Sequence, residues 1–289
     1  MKDTILITGA NGFIGSNLVR TLRDSYRVIQ IISLREESSE KDDRYALDLA
    51  NSEMVDRFFK TLEIKQYVAV VHSAALLCKP SEWGDIRYFD INNAITKNMI
   101  RLMQHMESEC FVNFSTLGVY PNRSGIHDET SKIDMSDNTE CLYGLAKFNS
   151  EMLFAYYLKN RTKVINLRLT QVYGTGMQQD RLIGIMRKEL ESENSITLFG
   201  NGDRISNFIH VDDVVGGVKA VIDKPVAGMF ILGHHDNYSY LEIAEHLIQK
   251  YGNRDSKLIL KSKGLKCKCR YDTNRFRRVF NYTAKKLAL

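Results

Sequence analysis

The amino-acid sequence predicts an α/β fold in which a doubly wound parallel sheet is followed by a smaller C-terminal α/β lobe. Short β-branched runs alternate with helical stretches in the first part of the chain, a pattern typical of a parallel sheet covered on both faces. A glycine-rich turn joins the first strand to the first helix, and the alternation becomes irregular after Gly174. We therefore expect a sheet domain over residues 1–174 and a smaller lobe over 175–289. Their elements can interleave, and a ligand cleft is expected between them.

Hydrophobic periodicity locates the elements of this fold. The predicted strands of the sheet domain are residues 4–8, 27–32, 68–72, 110–115 and 163–169. The helices between them, with apolar residues at three- and four-residue spacing, are residues 14–23, 52–62, 86–106 and 142–158. In the smaller lobe we expect strands at 196–199, 208–210 and 229–232, and helices at 182–191, 211–222 and 240–251. Right-handed crossovers between parallel strands give the doubly wound order.

The composition is that of an ordinary globular protein. Hydrophobic residues make up 44% and charged residues 26% of the chain, and no apolar run approaches the roughly 18 residues that a membrane span needs. Because the first residues lead directly into a strand and not into a signal peptide, we expect a cytoplasmic protein with no membrane partner. Five scattered cysteines, an odd number, favour reduced thiols over a disulfide framework.

Neither a metal ion nor a nucleic acid is expected as a partner. Cys267 and Cys269 form a single C-x-C without a second pair of ligands nearby. The net charge of +5 is modest, and the basic C-terminal segment comes without a stacking platform or a nucleic-acid-binding motif. This segment is predicted to be a solvated surface or one that attracts an anionic substrate.

The glycine-rich turn predicts a dinucleotide site. Gly9, Gly12 and Gly15 have the G-x-x-G-x-x-G spacing, directly after a strand and directly before an apolar helix. The first glycine allows a tight turn, the second lets backbone approach a pyrophosphate, and the third lets helix and strand pack closely. The helix N-terminus adds amide donors and a positive dipole. The predicted contacts from this turn are Gly9, Asn11, Gly12, Phe13, Ile14 and Gly15.

The end of the second strand bears on which dinucleotide binds. An acidic residue there would accept hydrogen bonds from the ribose 2′-hydroxyl of NAD, but Ser33-Leu34-Arg35 follow the strand instead. Ser33 and Arg35 suit a 2′-phosphate, which a carboxylate would repel. The sequence therefore favours NADP(H). NAD(H) stays possible because Glu36 and Glu37 follow closely.

A Y-x-x-x-K pattern formed by Tyr143 and Lys147 indicates acid–base chemistry. A spacing of four places both side chains on one helix face. An ammonium beside a phenol stabilises the phenolate, so the pKa of the tyrosine should fall toward the working pH. The pattern opens a helix that follows the strand ending at Ser115 and Thr116. A hydroxyl at that strand end can bond the substrate oxygen that the tyrosine protonates.

Several further segments follow in an order that resembles the extended short-chain dehydrogenase/reductase family, the NAD(P)-dependent epimerases, dehydratases and reductases of nucleotide sugars. The resemblance covers essentially the whole chain. The segments that carry it are T-G-A-N-G-F-I-G at 8–15, D-L at 48–49, H-S-A-A at 72–75, N-N-A-I-T-K-N at 92–98, F-S-T-L-G-V-Y at 114–120, Y-G-L-A-K at 143–147, L-R at 167–168, V-Y-G at 172–174, F-I-H-V-D-D-V at 208–214 and Y-D-T at 271–273.

The resemblance implies a Rossmann fold and roles for individual residues. Tyr143 would be the acid/base, Lys147 would lower its pKa and hold the nicotinamide ribose, and Thr116 would orient the reacting oxygen. Hydride would move between a sugar carbon and the nicotinamide. A homodimer through the helices at 86–106 and 142–158 is also implied. The remaining implied cofactor contacts are Asp48, Leu49, Ser73, Ala74, Ala75 and Asn92.

Departures from the family pattern narrow the reaction. Leu117 and Gly118 stand where the family's 4,6-dehydratases have an Asp-Glu pair, so that elimination is not expected. Ser206 replaces the family's diphosphate-binding arginine, and Arg204 lies two residues earlier. Gln171 stands where the family usually has a substrate-facing asparagine. The expected substrate contacts are therefore Thr116, Gln171 and Arg204.

These observations predict an enzyme that acts on a nucleotide sugar. The lack of an acidic ribose partner, the position of Arg35 and the compact second lobe favour an NADPH-dependent reductase of a keto-sugar nucleotide. The alternative is an NAD(P)-dependent epimerase, which oxidises and re-reduces one carbon and gains from retaining its cofactor. A third reading, a cofactor-sensing protein without catalysis, is disfavoured because Thr116, Tyr143 and Lys147 are all present.

Overall fold

The computed structural model describes residues 2–62, 66–285, 287 and 289. Its strands are β1 (Thr4–Thr8), β2 (Arg27–Ile32), β3 (Arg44–Ala46), β4 (Gln66–His72), β5 (Glu107–Thr116), β6 (Gly125–His127), β7 (Lys163–Leu169), β8 (Gln171–Tyr173), β9 (Ser195–Phe199), β10 (Ile205–Ser206), β11 (Phe208–His210), β12 (Gly228–Leu232), β13 (Tyr238–Ser239), β14 (Lys257–Lys261) and β15 (Cys269–Tyr271). Its helices are α1 (Phe13–Leu22), α2 (Ser52–Thr61), α3 (Arg87–Gln104), α4 (Cys141–Leu158), α5 (Leu182–Glu193), α6 (Val211–Asp223), α7 (Tyr240–Tyr251) and α8 (Asn274–Phe280).

Seven parallel strands form the central sheet in the order β12-β7-β5-β4-β1-β2-β3. The order reverses between β1 and β4, so a crevice forms outside their carboxyl ends. Apolar residues of α1, α6 and α8 cover one face of the sheet, and those of α2, α3 and α4 cover the other. The predicted doubly wound Rossmann fold is confirmed.

Each predicted strand and helix is present, and the largest shift is at β5, which begins at Glu107 instead of residue 110. Strand β12, expected in the smaller lobe, pairs with β7 and forms an edge of the central sheet. The other edge is β3, which the sequence did not indicate because it is only three residues long. The two parts of the chain therefore interleave, and their division at residue 174 stays a prediction.

The C-terminal part has its own core. Buried residues of α5 and α7 pack on β9 and β11, and the aliphatic side of β14 lies partly against them. Short strand pairs, including β8 with β11 and β6 with β15, join this part to the sheet domain. Within the described residues, no helix is both long and apolar enough to cross a membrane.

Helix α4 is anchored on the sheet by Phe154. Its ring is fully buried, 4.7 Å from the ring of Phe111 on β5 and 5.7 Å from that of His72 on β4. Aromatic pairs at such distances add to the free energy that burial alone provides. Phe154 therefore sets how the helix that carries Tyr143 and Lys147 lies on the sheet.

We expect Phe154→Ala to lower the free energy of unfolding by about 3–5 kcal/mol, because the substitution leaves a cavity between helix and sheet. Urea denaturation followed by circular dichroism measures this loss. Phe199→Ala is the matched control, since the Phe199 side chain is 62% exposed, and it should change stability by no more than about 0.5 kcal/mol. Equal effects of the two substitutions would contradict this account of α4.

Candidate active site

The glycine turn after β1 has no room for side chains. Gly9 has φ +67°, and a Cβ at Gly9 would lie 2.9 Å from the backbone of Ala74. A Cβ at Gly15 would lie 2.0 Å from the carbonyl oxygen of Gly9. Helix α1 begins at Phe13, directly after the turn, so its first amides face the crevice. The turn thus combines close backbone approach with a helix N-terminus, the arrangement that binds a pyrophosphate.

Hydrogen bonds lock the carboxyl ends of β1 and β4 together. The Ser73 hydroxyl donates to the Thr8 carbonyl (2.6 Å), and the Ala74 amide donates to the Thr8 hydroxyl (3.2 Å). Asn92 on α3 holds the following segment through both backbone groups of Leu76, each at 2.9 Å. Ser73, Ala74 and Asn92 therefore lie at the wall of the crevice, where sequence analysis expected cofactor contacts.

The loop after β2 presents a carboxylate to the glycine turn. Asn11 donates through Nδ2 to the Ser33 hydroxyl (3.0 Å) and to Glu36 Oε1 (3.1 Å). Arg44 of β3 forms an ion pair with the same Glu36 carboxylate. Arg35, expected to bind a 2′-phosphate, is exposed in this loop. From this loop, the structure brings Ser33 and Glu36 to the glycine turn.

Asp48 and Leu49 lie just beyond β3. Asp48 Oδ1 accepts from the Ala50 amide (2.9 Å) and shapes the turn that leads into α2. The Leu49 side chain is buried, and its carbonyl accepts from Asn98 (2.9 Å). This segment borders the β1–β2 side of the crevice, consistent with a contact to the far end of a dinucleotide.

Thr116 and Tyr143 are brought together by two glycines. The Thr116 hydroxyl accepts from the Gly118 amide (3.0 Å) in the turn that follows β5. Gly144 lies against this turn so closely that a Cβ there would be 2.4 Å from the Gly118 carbonyl oxygen. Tyr143, in the first turn of α4, is therefore next to the end of β5. The structure thus brings together the backbone segments of Thr116 and Tyr143, which the sequence placed on separate elements.

The expected fall in the Tyr143 pKa is not seen in this structure. Burial raises the pKa of Tyr143, Glu140 raises it further, and Arg181 acts in the opposite direction. The phenol is therefore protonated here, because removal from water disfavours the phenolate. Lys147 is buried as well, and burial lowers the pKa of its ammonium to about 8 although Glu151 opposes the shift.

An ion pair lies deeper along the same helix. Glu151 accepts from Nε and Nη2 of Arg168 at 2.9 and 2.8 Å, and both side chains are almost completely buried. Nη1 of Arg168 donates to the Tyr120 hydroxyl (2.8 Å), which donates to the Asp128 carbonyl (2.8 Å). The pair is thus satisfied on all sides and held in one geometry.

Two of the three expected substrate residues, Gln171 and Arg204, meet at Tyr240, whereas Thr116 is at the end of β5. Gln171 donates through Nε2 to the Ser206 hydroxyl (3.0 Å) and to the Tyr240 hydroxyl (3.4 Å). The Arg204 guanidinium lies over the Tyr240 ring, 5.4 Å from its centroid. The two positions that depart from the family pattern, Gln171 and Ser206, thus contact each other.

Sequence reasoning missed four residues around the catalytic helix. Glu140 and Arg181 form a long ion pair (3.7 Å) between the starts of α4 and α5. Cys78 also acts on Tyr143, and burial raises the pKa of the Cys78 thiol. The spacing of Glu140 from Tyr143 and of Glu151 from Lys147 was a usable local signal. Arg181 and Cys78 reach the site only through the tertiary fold.

A Rossmann sheet, a glycine turn at its switch point and a Tyr-x-x-x-Lys pattern with a buried lysine at its carboxyl edge define a dinucleotide-dependent enzyme of the oxidoreductase type. Residues 5–233 match the NAD dependent epimerase/dehydratase family. The chain belongs to this family, and thus to the extended short-chain dehydrogenases/reductases whose members modify nucleotide sugars.

Known proteins share this arrangement over most of their length. The chain is 29% identical over 272 residues to a UDP-glucuronate 4-epimerase of Thermodesulfobacterium geofontis, covering 86% of this chain and 82% of that protein. It is 27% identical over 268 residues to an ADP-L-glycero-D-manno-heptose-6-epimerase of Cupriavidus pinatubonensis, covering 83% and 76%. The UDP-glucuronic acid 4-epimerase structure of Bacillus cereus has the same fold, with a TM-score of 0.81, 24% identity and coverage of 98% and 95%.

Proposed function

We propose that this chain is an NAD-dependent epimerase of a nucleotide sugar. Its similarity to two sugar-nucleotide epimerases supports an epimerase better than the reductase that the sequence favoured. The turn after β5 favours an epimerase over a dehydratase. Leu117 and Gly118 follow Thr116 there, and neither has a side chain that can move a proton. The elimination of water needs such an acid/base pair.

The Glu36 carboxylate is the single observation that carries the proposal. It lies at the end of β2 against Asn11 of the glycine turn, and Arg44 holds it there. A carboxylate at this place accepts from a ribose 2′-hydroxyl and repels a 2′-phosphate. The preference for NADP expected from Ser33 and Arg35 is therefore not supported. An enzyme built for NAD and able to retain it suits a reaction that returns the hydride to its substrate.

The residues proposed to bind the dinucleotide lie along the crevice, from the β2–β3 side past the glycine turn to α4. A Cβ at Gly9 would meet the backbone of Ala74, and a Cβ at Gly15 would meet the Gly9 carbonyl oxygen, so only glycines let this turn close tightly and present the helix N-terminus to a pyrophosphate. Bound NAD would supply the hydride acceptor. The proposed contacts are Gly9, Asn11, Gly12, Phe13, Ile14, Gly15, Ser33, Glu36, Asp48, Leu49, Ser73, Ala74, Ala75, Asn92, Tyr143 and Lys147.

Tyr143, Lys147 and Thr116 would perform the proton transfers. Tyr143 removes the proton from a sugar hydroxyl as the carbon is oxidised and returns it when the ketone is reduced. Because burial raises the pKa of Tyr143, the phenolate needs nearby cations. Arg181 acts on the phenol already, and Lys147 lies four residues along the same helix. The Thr116 hydroxyl, free to donate while it accepts from Gly118, orients the reacting oxygen.

The substrate is proposed to lie between the catalytic helix and the lobe at 175–289. Gln171 and Arg204 form part of a polar cluster there, and a guanidinium resting on the Tyr240 ring is positioned for a phosphate. The basic C-terminal segment adds to the attraction of an anionic nucleotide sugar. Five free thiols suit a reducing cytoplasm.

A second copy of the chain is the proposed partner. Helix α4 is apolar on more than its buried side: Leu145, Met152 and Tyr156 form an exposed row, 39%, 46% and 66% exposed. Asn149 bonds Asn93 of α3 at 2.6 Å, so the two helices present a joint surface. A helix that is apolar all round is usually covered on both sides. We infer a homodimer through α3 and α4.

Tyr143→Phe tests the proposed reaction. With NAD and a UDP-hexose or UDP-hexuronate, the unmodified enzyme should form the isomeric sugar without net accumulation of reduced nicotinamide. Loss of the phenolic proton carrier should reduce kcat by about 10²–10⁴-fold. Chromatography of the sugar nucleotides and the absorbance of reduced nicotinamide measure both.

Tyr156→Phe, on the exposed face of the same helix, is the matched control and should keep full activity. Full turnover by Tyr143→Phe would remove the acid/base assignment. Stoichiometric consumption of NADPH with a keto-sugar nucleotide would instead establish the reductase.

Glu36→Gln tests the cofactor proposal. The unmodified protein should bind NAD more tightly than NADP, and loss of the carboxylate charge should reduce the affinity ratio by about tenfold, or about 1.4 kcal/mol. Isothermal calorimetry with both dinucleotides measures the ratio. Glu37→Gln, one residue further in the same exposed loop, should leave it unchanged. Tighter binding of NADP, weakened by Arg35→Ala, is the result that would sink the proposal.

Met152→Lys tests the dimer. A lysine at the centre of the α3–α4 surface would bury an unpaired charge, at a cost of about 3 kcal/mol or more and a roughly 100-fold weaker association. Sedimentation equilibrium measures the constant. Ile185→Lys, at an exposed apolar position on α5, is the control and should associate normally. A monomeric unmodified protein, or equal behaviour of both variants, would refute an interface at α4.

A further inference from the structure

Three side chains of α4 form a row that starts at the active site. Tyr143, Lys147 and Glu151 are spaced by four residues, so they lie along one ridge of the helix. Side chains of a helix lean toward its N-terminus. This lean directs the Glu151 side chain toward the turn of Lys147, on which its charge acts, and directs the Lys147 side chain toward the turn of Tyr143. The row ends in the Glu151–Arg168 ion pair, which the mechanism proposed above does not use.

Stability alone does not account for this ion pair. Glu151 is 0% and Arg168 3% exposed, and removing two charges from water costs as much as their attraction returns. Apolar side chains of similar size would stabilise such a place equally well. A charge kept at this depth has a strong effect on its neighbours, however, because little water screens it.

Lys147 is the neighbour on which this charge acts. Among the described residues, the charged or titratable groups that act on its ammonium are Glu151 from α4 and His72 from β4, and Arg168 from β7 lies behind Glu151. His72 is neutral, because burial and the Lys147 charge both lower its pKa. Glu151 is thus the one carboxylate of this group, and it opposes the deprotonation that burial favours.

We propose that Glu151 is a positioning residue for catalysis: held rigidly by Arg168, it keeps the Lys147 ammonium protonated and directed along the helix toward Tyr143. The inference rests on the proposed function, in which Lys147 must be a cation. Arg168 has two effects on this row. It fixes the carboxylate in place, and its own positive charge limits how strongly that carboxylate acts on Lys147.

Charge-removing variants at the two positions give opposite expectations. In Glu151→Gln the Lys147 pKa, about 8 in the unmodified protein, should fall by about one unit or more, since the opposing charge is lost. In Arg168→Gln the carboxylate is left facing Lys147 alone, and the pKa should rise. The alkaline limb of the kcat–pH profile should move in the same two directions. Both variants lose half of one buried ion pair, so a merely structural role would affect them alike.

The Lys147 titration is followed directly by NMR of protein labelled with ¹³Cε-lysine, with its signal assigned by its absence in Lys147→Arg. If Glu151→Gln does not fold, the double variant Glu151→Gln/Arg168→Gln keeps a neutral, hydrogen-bonding pair and should also show a lowered pKa. Asp213→Asn is the control: this buried carboxylate on α6 accepts from the Tyr282 hydroxyl (3.0 Å) on the opposite face of the sheet, and its loss should not move the titration.

Opposite shifts of the Lys147 titration in the two variants support the proposal. Shifts of the same sign, or none, in folded variants overturn it. The NMR titration does not depend on turnover, so it tests the role of Glu151 separately from the proposed reaction. An active Tyr143→Phe enzyme would refute the proposed reaction while the NMR titration still decides the role of Glu151.

Discussion

The close contact between the backbones of Gly118 and Gly144 determines the position of the catalytic helix. Because a Cβ on Gly144 would lie 2.4 Å from the Gly118 carbonyl oxygen, any side chain there would push α4 away from the end of β5. The contact brings Tyr143 beside Thr116, and four residues further Lys147 lies under the same crevice. Phe154 holds the far turns of the helix on the sheet. Chemistry that depends on sub-ångström placement is thus built on rigid packing.

Burial shifts the pKa values of the two titratable residues at the start of α4, Tyr143 and Lys147. Removal from water raises the pKa of Tyr143 and lowers that of Lys147, and both shifts disfavour the charged forms that catalysis uses. The structure compensates with fixed charges, Arg181 near the phenol and Glu151 near the ammonium. The same low dielectric that makes the charged forms costly makes each fixed charge effective at short range. At this site, the charges of Arg181 and Glu151 therefore oppose the effect of desolvation on Tyr143 and Lys147.

Local patterns in the sequence were sufficient for most of the fold and for the catalytic helix. The period of apolar residues located each long strand and helix, and the glycine spacing and Tyr143–Lys147 spacing located the two ends of the crevice. The preference for NADP that the sequence favoured is not supported, and the reason lies in the tertiary structure. Strand β3 is too short to show a period, yet its Arg44 is the residue that holds Glu36 toward the glycine turn. Without β3, Arg35 and Glu36 cannot be ranked from the sequence.

At the proposed substrate site, two residues differ from the family pattern, and both replacements are polar. Ser206 removes the family's arginine and Gln171 replaces its asparagine, and these two residues hydrogen-bond each other at 3.0 Å. The two departures are thus in direct contact and form one local rearrangement. Arg204, stacked on Tyr240 beside them, keeps a cation in the cluster. The cluster therefore keeps a positive group, which the proposed function assigns to the anionic nucleotide.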